Sequence, residues 1–306
     1  VPIYHVTGLI ALLTQFVHVG ATVYLHRRFD ARRLLECVRD EGITYLHASP
    51  TAFEKVLALK DDFPSLPTLR ALLSGSSYEP VGKMRAFHEW LPACAFQVVY
   101  GLTETASPAL LFPFDSPTSI YAGATGKPVP GVDVRIVDEG GRDVEDGLVG
   151  EILLSGTCVT EGYYNCPARA VDDEGWLPTG DMGYADALGM VWVVDRKKDM
   201  INRGGEKVWC SCLEETIGSL PGVREACVAG IPDELYGEVP VAAIVAEGGA
   251  PLSERWVIDA LRERVAGFEV PEHVVFVDYI PQTVGDKPDR AAVRAFVIDQ
   301  IKENTR

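Results

Sequence analysis

The chain has 306 residues, 47% of them apolar, which is enough for one large and one smaller domain with real cores. Lys and Arg total 28 against 44 Asp and Glu, and the formal net charge of -16 argues against bulk electrostatic binding of nucleic acid or an acidic membrane surface. No apolar stretch is long and unbroken enough to span a bilayer, and seven scattered cysteines, an odd number, suit a reducing, cytoplasmic setting better than a disulfide framework.

From residue 1 to about 101 helical and strand patterns alternate. A Leu-rich stretch at 8–17 precedes a short apolar run at 21–25, a mixed helix at 30–41 and the strand pattern ITYLHAS at 43–49. A helix at 51–60, the strand LRALLS at 69–74, a helix at 80–90 and the strand FQVVYG at 96–101 follow. Short apolar runs separated by helices of this length predict a parallel sheet with crossover helices.

Between 119 and about 194 Gly and Pro punctuate alternating runs such as VDVRIVD, GEILLSG and MVWVVD, the texture of a small twisted or barrel-like β subdomain. Asp195-Arg196-Lys197-Lys198-Asp199 then forms a charged pentapeptide after a buried strand. It reads as a hinge, or as a solvated loop rich in ion pairs. Beyond it, strand patterns at 200–208, 223–230, 239–246 and 273–278 and helices from 212, at 253–265 and from 289 predict a compact α+β unit. The plan is thus α/β: an N-terminal domain over 1–194, with an α/β layer at 1–118 and the β subdomain at 119–194, a hinge at 195–199 and a small mobile domain over 200–306.

Tyr100-Gly101-Leu102-Thr103-Glu104 follows directly on an expected buried strand, at the carboxyl end where open α/β sheets bind ligands. Gly101 lets backbone approach a nucleotide, Thr103 offers a hydroxyl to a phosphate, Glu104 can hold Mg²⁺ and Tyr100 presents an aromatic face to a purine. The same residues also read as an ordinary helix start capped by Thr103. Ser74-Gly75-Ser76-Ser77 again follows a strand, as a second ligand loop or a plain turn. Asp181 in Thr179-Gly180-Asp181 can accept hydrogen bonds from a ribose diol, and Arg196 can supply a charge-assisted bond. Gly204-Gly205-Glu206 reads as a turn into a strand with room for close backbone approach. Ser155–Gly162 mimics a phosphate loop but lacks its lysine and reads as a β turn. Cys210 and Cys212 have no partners to complete a zinc site.

These motifs, in this order, resemble the adenylate-forming enzymes: acyl-CoA synthetases, luciferases and the adenylation domains of peptide synthetases. Gly150-Glu151-Ile152 and Gly162-Tyr163-Tyr164-Asn165 resemble the family's GEI and GYYN signatures, and the likeness covers nearly the whole chain. It implies a carboxylate-activating ligase that joins a small carboxylic acid to ATP as an acyl-adenylate, with Mg²⁺, and passes the acyl group to the thiol of coenzyme A or of a carrier protein. Residue by residue, it implies adenylate contacts from Gly75, Ser76, Ser77, Tyr100, Gly101 and Thr103 and ribose contacts from Asp181 and Arg196. Glu104 becomes the metal ligand, Lys198 the pivot, and Gly204, Gly205 and Glu206 the coenzyme A tunnel. Catalytic roles fall to Lys287, Thr103 and His5, the last lying in VPIYHVTGL, the segment that lines the acyl pocket and gates the thiol tunnel.

Three departures accompany the likeness. The second adenine loop is Gly75-Ser76-Ser77-Tyr78 where the family commonly has Gly-Gly-Ala-Pro, and Asp286 stands before Lys287 where the family has Gly. The family's Ser/Thr/Gly-rich loop ending in Pro-Lys-Gly, which cradles the outer phosphates of ATP, has no match, and the likeness begins at His5, downstream of that loop. The expectation is a fragment or truncated form of an acyl-CoA ligase. The alternatives are a ligase that only converts preformed acyl-adenylate to thioester, with a partner supplying the adenylate or the missing region, and a non-catalytic adenylate-binding module.

Overall fold

The computed structural model describes residues 1–113, 115–248, 251–283 and 288–304. The chain divides into two compact units: Val1–Thr179 with Gly183–Val193, and Gly180–Met182 with Val194–Arg306.

The first unit opens with a π-helical segment, Thr7–Thr14, running into α1 (Gln15–His18). The apolar run at 21–25 forms no strand: Val23, Tyr24 and Leu25 are 38%, 44% and 62% exposed. β propensity makes a strand only where a neighbour takes up the backbone hydrogen bonds, and no ladder partner exists for this run among the described residues. Helix α2 (Ala31–Glu41) starts where the Asp30 carboxylate accepts the Arg33 N–H at 2.9 Å and stops at Gly42, whose φ is 65°. Ser49 caps α3 (Pro50–Leu57) in the same way, with Pro50 at its first position.

Strands β1 (Tyr45–Ala48), β2 (Ala71–Ser74) and β3 (Ala95–Tyr100) run parallel, joined by α3 and α4 (Val81–Trp90), as the alternating pattern predicts. The register aligns Ala48, Ser74 and Val98, so all three carboxyl ends lie side by side. One face carries the core of Leu35, Val38, Phe53, Leu72, Met84, Phe87 and Phe96, in which the Phe53, Phe87 and Phe96 rings lie 5.3 to 5.8 Å apart. The short strands β4 (Leu110–Leu111) and β5 (Lys127–Pro128) extend this sheet antiparallel. Strands β6 (Val132–Val137), β7 (Gly150–Gly156), β8 (Leu177–Ala185) and β9 (Val191–Arg196) follow as a separate sheet in sequential order. It is open, not a closed barrel, and four strands are too few to close one.

The second unit is built on β10 (Ile201–Arg203), β11 (Glu206–Val208), β12 (Val223–Asp233), β13 (Gly237–Ala246) and β14 (His273–Phe276). Along β12 and β13 alternate residues face opposite ways. Val228, Ala242 and Ile244 pack with α5 (Cys210–Gly218) and α6 (Glu254–Arg262), while Cys227, Ala229, Val241 and Ala243 pack with α7 (Arg290–Asn304). Burial on both faces explains the unbroken apolar reading of β13. Helix α5 starts two residues earlier than its pattern suggests, because the Asp195 carboxylate, distant in sequence, accepts the Ser211 N–H at 3.1 Å.

Arg290, at the start of α7, fastens that helix to α5. Its guanidinium grips both oxygens of Glu214, donates to the Val228 carbonyl at 2.8 Å and lies 3.8 Å from Asp199. Burial pushes the Glu214 carboxyl up, and the facing guanidinium pulls it back. Among the described residues two carboxyl or imidazole side chains are buried in the first unit, Glu79 and His47. The Glu79 carboxyl, 2% exposed, accepts the Ser74 hydroxyl on one oxygen and has no partner on the other among the described residues. Burial pushes it up to about 7. His47, 9% exposed, has no partner on either ring nitrogen among the described residues, and burial pushes it down to about 4.

These groups predict opposite pH effects on unfolding. Glu79 is protonated in both states below about 4.5, its ordinary value, whereas above about 7 the folded state carries the whole cost of ionising it. Stability should fall by about 3 kcal/mol across that window, and Glu79→Gln should flatten the fall and raise the urea midpoint near pH 8. For His47 the loss comes as pH drops from about 6.5 to about 4, and His47→Leu should remove it. Breaking the Arg290–Glu214 pair is a separate test: Arg290→Ala should lower the unfolding free energy by about 3 kcal/mol, and adding Glu214→Leu should recover part of it.

Candidate functional site

In the first unit the expected residues gather on the loops leaving β2 and β3. Gly75 is buried, and a Cβ there would stand 2.5 Å from Val99 Cγ2 and 3.5 Å from His47 Nε2, so only glycine fits. Ser76 has a φ of 77° and turns its hydroxyl to within 3.4 Å of Thr7 Oγ1, which itself lies 3.2 Å from His5 Nδ1. The helical start and the loop after β2 are therefore joined through side chains, and His5 and Ser76 belong to one polar chain. Ser77 is exposed.

Tyr100 ends β3, and Gly101 packs so closely on Ser107 that a Cβ would lie 2.9 Å from its Oγ. Thr103 and Glu104 then enter a single 3-10 turn, Thr103–Thr105. Its cap is not Thr103, as an isolated reading of the motif allows. The Thr105 hydroxyl accepts the Leu102 N–H at 3.0 Å, which leaves Thr103 on the surface. Glu104 Oε1 accepts the Tyr163 hydroxyl at 2.7 Å, and the Glu104 carbonyl accepts Thr160 N–H at 2.8 Å. The GYYN segment is thus clasped onto the turn, and the bond to the Glu104 carboxylate holds the Tyr163 hydroxyl above its ordinary value. One carboxylate is a fitting donor for Mg²⁺ that arrives on a nucleotide, since that ion is commonly held by one or two carboxylates together with phosphates and water. Among the described residues no group of three or more His, Cys, Asp or Glu could hold a metal alone.

In the second unit Asp181 and Arg196 meet: Nε stands 2.6 Å from Oδ1, with the Asp181 side chain 4% exposed. The Lys197 N–H donates to the Gly180 carbonyl at 2.9 Å and fixes the two segments together. Lys197 and Lys198 are exposed in the turn after β9, whereas Asp195 is buried and takes the Ser211 hydroxyl at 3.1 Å as well as its N–H. The segment expected as a hinge therefore has a bonded, buried aspartate at its start and two exposed lysine side chains in its middle. Gly204 and Gly205, with φ of 60° and 100°, form the two-residue turn between β10 and β11, and Gly205 N–H donates to Asn202 Oδ1 at 2.9 Å. Gly204, Gly205 and Glu206 are all exposed.

Lys287 and its neighbours Gly285 and Asp286 lie outside the described residues. Among the described residues on either side of them, Asp289 N–H donates to the Pro281 carbonyl at 2.8 Å, and Gln282 bridges Pro288. A cavity of about 520 Å³ in the first unit, lined by residues including Phe112, Tyr121, Lys127 and Met190, contains none of the expected site residues. Sequence reasoning missed His47, Glu79 and the Tyr163–Glu104 bond. A histidine inside the apolar run YLHA and an acid before Pro80 were visible, but neither spelling announces burial.

The AMP-binding enzyme family matches residues 1–164, and the AMP-binding enzyme C-terminal domain matches 213–287. The chain is 36% identical to the indoleacetate–CoA ligase of Aromatoleum aromaticum over 299 residues, covering 97% of this chain and 58% of that one. Among solved structures, ATP-bound MatB from Rhodopseudomonas palustris is similar with a TM-score of 0.89 at 29% identity, over 97% of this chain and 59% of that one. The o-succinylbenzoate CoA synthetase of Bacillus subtilis, in complex with the acyl-adenylate intermediate, has a TM-score of 0.85 at 30% identity, over 96% and 59%. This chain thus spans less than two thirds of the length of these proteins. With matches across both of its units, it belongs to the AMP-binding enzyme family, within the adenylate-forming superfamily.

Proposed function

We propose that this chain is the adenylate-handling and thiol-transfer part of an AMP-forming acyl-CoA ligase. The observation that carries the reading is the Asp181–Arg196 pair, a carboxylate held in place by a guanidinium at 2.6 Å and able to accept further hydrogen bonds from a ribose diol. Its support is the order of motifs around it and the ligases to which the chain is similar. Residues 1–194 act as the adenylate-binding domain and 200–306 as the mobile domain, with 195–199 as hinge and Lys198 as pivot.

In the first half-reaction an oxygen of the carboxylate attacks the α-phosphorus of ATP, the bond to pyrophosphate breaks, and an acyl-adenylate forms. Gly75, Ser76, Ser77, Tyr100 and Gly101 bind and orient the nucleotide, the Thr103 hydroxyl donates to the α-phosphate, and Lys287 offsets its developing charge. Glu104 would hold Mg²⁺, which when bound supplies charge neutralisation on the phosphates. In the second half-reaction the thiol sulfur attacks the acyl carbonyl carbon and AMP departs. His5 lines the acyl end, and Gly204, Gly205 and Glu206 give the pantetheine arm a surface with little side chain. The thiol is that of coenzyme A, with a carrier-protein thiol as the other candidate. The setting is the cytoplasm, in keeping with seven free cysteines, and no helix among the described residues is long and apolar enough to cross a membrane.

Two assays test the reading. The chain is given acyl-adenylate with coenzyme A, and separately acid, ATP, Mg²⁺ and coenzyme A, with thioester read by mass spectrometry. Thioester from the adenylate is the expected result, and Lys287→Ala should abolish adenylation while sparing that step. Thioester from the adenylate alone identifies a ligase dependent on a partner for activation, AMP binding without thioester a non-catalytic module, and absence of both refutes the proposal. In a second measurement Asp181→Asn should weaken AMP binding by about tenfold or more, the order of one lost charged hydrogen bond.

A further inference from the structure

Glu79 closes the loop that leaves β2, the segment to which the proposed function assigns the adenylate contacts Gly75, Ser76 and Ser77. Ser74, the last residue of β2, is fully buried, and Glu79, two residues before α4, is 2% exposed. The Ser74 hydroxyl donates to Glu79 Oε2 across the base of the loop, and Oε1 has no partner among the described residues. Between these two, Ser77 and Tyr78 are exposed, and Ser76 is held at a φ of 77°, a region that residues with a Cβ seldom adopt. Such a conformation persists only where its surroundings fix it, and the bond between Ser74 and Glu79 fixes both ends of the loop. The charged groups that act on Glu79 are Lys83, in the first turn of α4, and Glu54 of α3. They are paired with each other at 3.1 Å, so the ammonium is committed to a carboxylate other than Glu79. Burial pushes the Glu79 carboxyl up to about 7, which leaves it on the edge of ionising in neutral solution.

We propose that Glu79 is a positioning residue for the nucleotide: through the Ser74 hydroxyl its protonated carboxyl keeps Gly75, Ser76 and Ser77 in the shape that receives the adenylate, and its ionisation releases that loop. This inference rests on the adenylate reading of the same loop. A carboxylate with one unpaired oxygen and no cation of its own is costly to keep out of water. Opening residues 75–80 hydrates it while β2 and α4, held in the apolar core through Leu72, Met84 and Phe87, stay in place. Ser76 then leaves its left-handed conformation, and its hydroxyl leaves Thr7 Oγ1, which it approaches to 3.4 Å in the closed loop. The closed loop holds the proton more tightly than an open one, so raising the pH through neutrality favours the open form and weakens nucleotide binding.

The test uses the chain with acetyl sulfamoyl adenosine, which unlike AMP has no group titrating near neutrality, and reads affinity by calorimetry at about pH 6 and about pH 8. Affinity should fall by up to about tenfold between them, the change that values of about 7 closed and 4.5 open allow. Glu79→Gln, which keeps an acceptor for Ser74 and carries no charge, should bind at both pH values as the unaltered chain does at the lower. Glu79→Leu, which leaves the Ser74 hydroxyl without its partner, should bind about fivefold more weakly than that at both, the worth of one hydrogen bond. His5, joined to the loop through Thr7, is common to all three chains, so a difference between their profiles belongs to residue 79. Hydrogen exchange read by mass spectrometry follows the loop without ligand: at the higher pH the amides of 75–78 should exchange faster in the unaltered chain than in Glu79→Gln. Thermal melting checks that both variants fold, and the affinity profile of the unaltered chain stands without them. A flat profile in that chain, the same fall in Glu79→Gln, equal exchange in the two, or full affinity in Glu79→Leu would overturn the inference while leaving the adenylate reading intact. If neither the analogue nor AMP binds at either pH, the adenylate reading fails and this inference fails with it.

Discussion

The chemistry of the first unit depends on one constraint, the parallel register of β1, β2 and β3. Because Ala48, Ser74 and Val98 are aligned, the segments that follow them emerge at a common edge, and the ladder brings residues from 49, 75 and 101 onward near each other. A slip of one residue would turn Leu72 and Phe96 out of the aromatic core, so burial of that face fixes the register, and the register fixes the edge. Gly75 and Gly101 are consequences of the same arrangement, since chain leaving adjacent strands this closely has no room for a Cβ beside Val99 or Ser107.

The second unit is held by polar bonds at the place where the first relies on apolar packing. Its sheet is covered on both faces, and polar bonds fasten the covering helices and the segment before them: Asp195 to the first turn of α5, Arg290 to Glu214, and Cys210 Sγ, which donates to the Asp199 carbonyl at 3.0 Å. This makes the pentapeptide 195–199 uneven. Its two ends are committed to the unit, while Lys197 and Lys198 between them are exposed. A charged loop and a hinge were two readings of those letters, and the side chains of Lys197 and Lys198 face solvent while the Lys197 N–H is bonded to the Gly180 carbonyl.

Much of this was legible because it is written in periodicity. The alternating helices and strands of residues 30–101, and the doubly buried β13, follow from the spacing of apolar side chains. Spacing misled where a partner was needed: Val23, Tyr24 and Leu25 have strand letters but no neighbouring strand, and the alternating runs of 119–194 pair into an open sheet although the same runs also suit a barrel. The start of α5 was hidden because its cap comes from Asp195. The nucleotide motifs were readable from short-range order, while the burial of His47 and Glu79 was not, since it is decided by elements remote in the chain.

The glycine turn between β10 and β11 has a further consequence. Arg203, at its base, donates to the Phe268 and Val270 carbonyls at 3.1 and 3.2 Å and lies over the Tyr236 ring, while Gly204 N–H is taken by the Tyr236 carbonyl and Gly205 N–H by Asn202. The two most permissive residues of the hairpin therefore have their torsions set before any ligand arrives. A bare backbone tip of this kind can lie along a thin, flexible molecule while losing little conformational entropy of its own, leaving the cost of ordering to the guest.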